Sequence, residues 1–119
     1  MSVSWVYEEG VQLLVVRISG ELALKDMGNL QEEAATVLQG AGRSGFLVIL
    51  EAFEGWSKGD DWADTSFPDD NDQYLSRFAI VGEEQWRDKA LMFSLAGLRP
   101  VEIEYFTDET AAREWLAAA

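Results

Sequence analysis

The chain has no cysteine, no histidine, only two prolines, and nine cationic side chains against twenty-two anionic ones. Without cysteine there is no disulfide and no thiol nucleophile. Without histidine there is no imidazole base, and without either there is no Cys/His zinc site. The absence of cysteine is compatible with a reducing interior. The shortage of cations leaves a net charge of −13. That balance argues against nucleic acid, whose phosphates are bound by clustered Lys and Arg, and against anionic membrane surfaces. It favours solubility and a partner that carries a basic patch. Long apolar runs are missing too: "LLVV" and "FLVIL" are far too short to span a bilayer. The opening "MSVSWVYEEG" has no basic region and does not read as a signal peptide. A cytoplasmic protein is expected.

What is present is enough apolar material for a core. Of 119 residues, 48% are hydrophobic, so the charge does not imply global disorder. A chain of this length forms one domain, expected here over residues 1–119, and buries roughly two-thirds of its unfolded surface. Val3 to Glu8 and Val11 to Ile18 read as two strands joined at Glu9-Gly10. The second is apolar on both faces, which predicts an interior strand. Met27, Leu30, Ala34, Val37 and Leu38 form a helical stripe that "GAGRSG" ends. Phe46 to Leu50 and Phe78 to Gly82 read as buried strands. Glu83 to Leu95 reads as a helix with Trp86, Ala90 and Phe93 on one face. Val101, Ile103 and Tyr105 alternate with Glu102 and Glu104, the pattern of a strand near a sheet edge. Asp108 is placed to cap a last helix ending in "REWLAAA".

The most acidic stretch, "FEGWSKGDDWADTSFPDDND" from Phe53 to Asp72, also holds tryptophan and phenylalanine. "SKGD" fits a capping box with Ser57 at the helix start. Turning each residue by 100° gathers Asp60, Asp61 and Asp64 on one side, with Gly59, Trp62, Ala63 and Phe67 on the other. Asp60 and Asp61 lie in the first turn, where the helix dipole favours carboxylates. Phe67 precedes Pro68, so the helix is expected to stop there. Ala63 and Phe67 should face the core. Trp62 and Trp56 sit at the margin, where a ring can anchor a partner.

Metal and catalytic readings find little support in this pattern. "DDND" resembles a calcium loop in composition only, since the sixth position is not glycine and the twelfth is Ile80. Aspartates massed on a turn supply neither the cleft nor the raised pKa that glycoside hydrolysis needs. "GAGRSG" follows a helix and precedes a strand, the reverse of a phosphate-cradling loop. Trp86, Phe93 and Trp115 are most simply core. No cofactor and no metal are expected.

The hairpin leading to "ISGELALKD", then "FLVILEAFEGW", "RFAIVGEEQW" and "PVEIEYF" resemble the SpoIIAA-like group of the STAS superfamily, small bacterial proteins. The resemblance runs over roughly residues 3 to 116. Its apolar-strand and tryptophan patterns are specific for fold and weak for function. It implies an α/β domain of order β-β-α-β-α-β-α-β-α, a mixed five-stranded sheet with four helices. Anti-sigma-factor antagonists of this superfamily carry a phosphorylatable serine in an Asp-Ser-Ser-Gly-like motif after the third strand. Here that region is "EGWSKGDD": the motif is missing and Ser57 is the only hydroxyl nearby.

Two functions from different classes follow from the resemblance. The first is a non-enzymatic regulatory domain that binds a protein through Trp56, Ser57, Asp60, Asp61, Trp62, Asp64 and Phe67. The second, suggested by kinship with CRAL-TRIO lipid-transfer domains, is a carrier of a small apolar ligand among Trp56, Trp62, Phe67 and Phe93. A homodimer through an edge strand or the tryptophan-bearing helix is a further expectation.

Overall fold

The computed structural model describes residues 2–56, 72–94 and 101–118. Strand β1 (Ser2–Glu8) turns through a 3-10 turn at Glu9–Val11 into β2 (Leu13–Leu22). Gln12 completes that turn in the left-handed region at φ 49°. Val11, expected in the second strand, therefore belongs to the turn and is exposed. Helix α1 (Leu24–Ala41) ends at Gly42, whose φ of 85° breaks the helical path. Next come β3 (Ser44–Trp56), β4 (Leu75–Val81), α2 (Arg87–Phe93), β5 (Glu102–Phe106) and α3 (Glu109–Ala117).

Three α-helices thus stand among the described residues where four are expected. Their order is β-β-α-β-β-α-β-α, with further 3-10 turns at Asp72–Tyr74 and Glu84–Trp86. The helix expected from Lys58 to Phe67 falls between β3 and β4, outside the described residues. The helix expected to begin at Glu83 opens instead as the 3-10 turn and becomes α-helical at Arg87.

The five strands form one mixed sheet in the order β1-β2-β3-β4-β5. β1 and β2 are antiparallel, and every other neighbouring pair is parallel. Each interior strand has an apolar residue on both faces, so the sheet carries two cores. Against one face α1 packs Leu30, Ala34 and Leu38, and α2 packs Ala90, onto Leu14, Val16, Ile18, Phe46, Val48, Phe78 and Ile80. Phe46 and Phe78 stack there with ring centroids 4.8 Å apart. Against the other face α3 packs Ala112 and Leu116 onto Leu13, Val15, Leu47, Ile49, Ala79 and Val81. β2 is interior and β5 lies at an edge, as the patterns of their residues predict. Asp108 caps α3, accepting from the amides of Thr110 and Ala111.

Candidate functional site

The site is built at the C-terminal end of β3. β-pairing places Glu51 opposite Ser19 and Phe53 opposite Gly20, so Ala52 is an extra residue. Gly55 then pairs with Glu21, and Glu54 is extra as well. Each bulge slips the side-chain alternation by one position. Phe53, which simple alternation would set on the α3 face with Ile49, is carried to the α1 face. The second bulge brings Trp56, opposite Leu22, onto that same face. Backbone geometry makes both slips: Ala52 sits at φ 46° and Gly55 at φ 107°.

Trp86, from the 3-10 turn before α2, completes a trio with these two rings. The centroid distances are 4.9 Å for Phe53–Trp56, 5.2 Å for Phe53–Trp86 and 6.1 Å for Trp56–Trp86, all three edge-to-face. Gly55 is what admits the third ring, since a Cβ there would lie 3.2 Å from the Trp86 ring. Phe53 is buried, while Trp56 and Trp86 keep part of their surface in solvent. The Lys89 ammonium lies 5.9 Å from the centre of the Trp86 ring. The Trp86 Nε1 is buried and has no hydrogen-bond partner among the described residues.

A second group at the same end of the sheet holds β4 to β5. The Tyr105 hydroxyl donates to the Glu83 carbonyl at 2.6 Å, and Gly82 N–H donates to the Phe106 carbonyl. Gly82 must lack a side chain, because a Cβ would stand 2.6 Å from the Tyr105 oxygen. Burial pushes the Tyr105 phenol up to about 12. Arg87 grips Glu84 through two hydrogen bonds of 2.7 and 2.9 Å and lies over the Tyr105 ring. Hydrogen bonding to Arg87 lowers the Glu84 pKa.

Charged side chains gather at both ends of the strands. Around the C-terminal ends lie the exposed carboxylates of Glu21, Glu51, Glu54, Glu83, Glu84 and Asp88. At the opposite end an open groove of about 1060 Å³ is lined by Arg43, Arg77 and Arg113 together with Glu8, Glu102 and Glu114. Two of those arginines are engaged by the fold. Arg113 clasps Glu8 at 2.9 and 3.1 Å and Glu109 at 2.8 Å. Arg77 donates to the Trp115 carbonyl near the end of α3 and covers the Trp115 ring.

Of the residues expected to bind a partner, Trp56 is placed, half-buried, at the tip of β3. Ser57, Asp60, Asp61, Trp62, Asp64 and Phe67 lie outside the described residues. The pocket expected for an apolar ligand is represented by Trp56 alone, whose ring packs on Phe53 and Trp86. Trp62 and Phe67 lie outside the described residues, as does the side chain of Phe93. Ile80, the twelfth position of the calcium-like loop, is buried in β4, and its side chain has no ligating atom. Among the described residues no group of three or more acidic side chains is placed to hold a metal ion. No helix there is long and apolar enough to cross a membrane. The sequence reading ends the third strand at Leu50 and so misses Phe53. The aromatic pair three apart around Gly55 is the signal that could have found it.

No curated protein matches the chain. Solved structures do. An uncharacterised protein of the DUF3478 family with a SpoIIAA-like fold, from Shewanella loihica, matches at 21% identity with a TM-score of 0.68, covering 97% of this chain and 92% of that one. The anti-sigma factor antagonist SpoIIAA in its unphosphorylated form matches at 16% identity and a TM-score of 0.58, covering 96% and 97%. The Bacillus cell fate determinant SpoIIAA in the phosphorylated form matches at 20% identity and 0.56, covering 96% and 99%. These likenesses establish a fold. The SpoIIAA-like family model matches residues 13–117, nearly the whole chain, and the protein belongs to the SpoIIAA-like family.

Proposed function

We propose that this chain is a non-enzymatic regulatory domain that binds a protein partner through the C-terminal end of its sheet. Trp56 is the anchor, and Ser57, Asp60, Asp61, Trp62, Asp64 and Phe67 extend the contact face. The observation that supports this most is the pair of bulges in β3. At the cost of one non-glycine residue in a left-handed conformation, they set Trp56 opposite Leu22 on the same face as Phe53, with part of its ring in solvent. A part-exposed indole braced by two rings and surrounded by carboxylates suits a partner that offers an apolar notch inside a basic patch. The likeness in fold to anti-sigma-factor antagonists supports a regulatory role of this kind.

The test is affinity capture from cell extract on the immobilised chain, followed by mass spectrometry. Wild type, Trp56→Ala, Trp62→Ala and an Asp60/Asp61/Asp64→Asn triple variant are compared. A basic partner retained by wild type and lost from the variants is expected. The reading fails if wild type captures nothing specific, or if all four proteins retain the same set.

A further inference from the structure

We infer that the free edge of β1 is a self-association surface, through which two copies of this chain join their sheets into one. This is independent of the proposed docking end, since β1 lies beyond β2 from Trp56. Among the described residues four large apolar side chains are exposed. They are Trp5 (39%), Val6 (55%), Val11 (66%) and Met92 (63%), and the first three sit on the β1–β2 hairpin.

Among the described residues β1 has none of the devices that keep a sheet edge solitary. It is seven residues long, "SVSWVYE", with no proline and no lysine. Its register with β2 runs from Ser2↔Ser19 to Glu8↔Leu13 without a bulge. Such an edge presents a row of backbone donors and acceptors to any further strand. The other edge is built differently. β5 has five residues, and two of them, Glu102 and Glu104, are exposed acids. The contrast within one sheet marks β1 as the edge open to pairing.

The composition of β1 favours a second copy as the occupant. An antiparallel pair that uses all seven residues has its two-fold axis through Trp5. That register sets Trp5 opposite Trp5, Val6 opposite Ser4, Tyr7 opposite Val3 and Glu8 opposite Ser2, with no like charges facing. Trp5 already donates its indole N–H to Glu33 at 2.7 Å. The ring is therefore held in place, and the part it shows is apolar. On a chain of net charge −13, a neutral stretch from Ser2 to Tyr7 is where two copies repel least. Each Trp5 brings its Glu33 to the seam, so added salt should tighten the dimer.

Sedimentation velocity of the full chain over a hundredfold concentration range, at low and moderate salt, tests this. Wild type should shift from monomer to dimer, and at lower concentration in the higher salt. Val6→Glu, at an exposed position that the fold tolerates, should raise the dissociation constant about tenfold or more, while Val6→Thr should stay near wild type. Ser4→Glu, exposed on the same face, is the second variant should Val6→Glu lose its native circular dichroism. Hydrogen exchange should show protection of Ser2–Glu8 that grows with concentration. A wild type that stays monomeric, a dimer indifferent to both glutamates, or protection arising in another segment would overturn the inference.

Discussion

Phe53 and Trp56 lie on the same face of the sheet with ring centroids 4.9 Å apart, although their odd spacing would set them on opposite faces of a regular strand. Of the two bulges between Ser19 and Glu21 on the partner strand, the second, which leaves Glu54 extra, absorbs the mismatch, and the first, at Ala52, turns Phe53 to this face. Each bulge rests on a residue with positive φ, and the two residues differ in what that costs.

Ala52 carries a Cβ at φ 46°, a conformation that costs an L-residue about 1–2 kcal/mol. Ala52→Gly should relieve most of that strain while adding some unfolded-chain entropy, for a net gain of about 0.5–1 kcal/mol. Ala52→Val should instead lose about 1–2 kcal/mol, because a β-branched side chain fits φ > 0 worse still. Urea unfolding of the three proteins measures both. Equal stability for all three would show that the bulge does not depend on this backbone angle.

Gly55 has two reasons to be glycine: φ 107° and a Trp86 ring 3.2 Å from where a Cβ would stand. Gly55→Ala should cost about 1–3 kcal/mol. It should also change tryptophan fluorescence, because Trp86 must yield. A variant of wild-type stability and emission would show that the aromatic trio does not depend on this glycine.

Much of the architecture was legible from the residues, and the reasons are local. β2 is apolar on both faces and is interior. "VEIEYF" alternates and lies at an edge. Leu30, Ala34 and Leu38 repeat with helical period and are buried by α1. What alternation could not show is where alternation stops. A bulge needs one extra residue and one positive φ, and Ala52 advertises neither. The third strand therefore reads as ending at Leu50, and Phe53 is left without an address. Val11 reads as strand for a related reason. It is apolar and β-branched, but Gly10 and Gln12 shape a turn around it that propensity does not see. Trp86 was legible as core, but its meeting with Trp56 depends on two chain segments approaching where only Gly55 permits it.

Removing the indole N–H separates shape from polarity at Trp86. Its Nε1 is buried with no acceptor among the described residues, and an unpaired buried donor costs about 1–3 kcal/mol. Trp86→Phe keeps an aromatic ring and deletes that donor, so its loss should be well below the about 3–5 kcal/mol expected for Trp86→Ala. Denaturant midpoints compare the two. Equal losses would mean that the indole nitrogen is satisfied in solution.

Tyr105 should make the fold sensitive to alkali. Burial, the leading cause, raises its pKa in the folded chain to about 12 from an ordinary value of 10.0. A group whose folded pKa is raised holds its proton more tightly when folded. Its contribution is therefore fully present below the unfolded value and is lost as pH climbs between the two. Wild type should lose stability across that window, and Tyr105→Phe, which cannot ionise, should lose less. The phenolate absorbance of the folded protein should rise later for this tyrosine than for a free phenol. A wild type and a Tyr105→Phe variant with parallel alkaline unfolding curves would refute the assignment.

Glu8 gives the opposite sign at the acid end. Its hydrogen bonds to Arg113, the largest cause, lower its pKa below its ordinary value of 4.5. They tie the last residue of β1 to α3 across 105 positions of sequence. A depressed folded pKa contributes stability above the unfolded value, and that contribution is lost as pH falls through the folded value. Both side chains are one-third exposed, so solvent screens the pair and its worth near neutral pH should be no more than about 1 kcal/mol. The measurement is the stability of wild type minus that of Glu8→Gln, followed downward in pH. The other carboxylates titrate in both proteins and largely cancel in this difference. It should be steady above pH 4.5 and should shrink below it. A difference that stays constant through the acid range would mean that Glu8 supports the strand end by packing or by neutral hydrogen bonding, and not through its charge on Arg113.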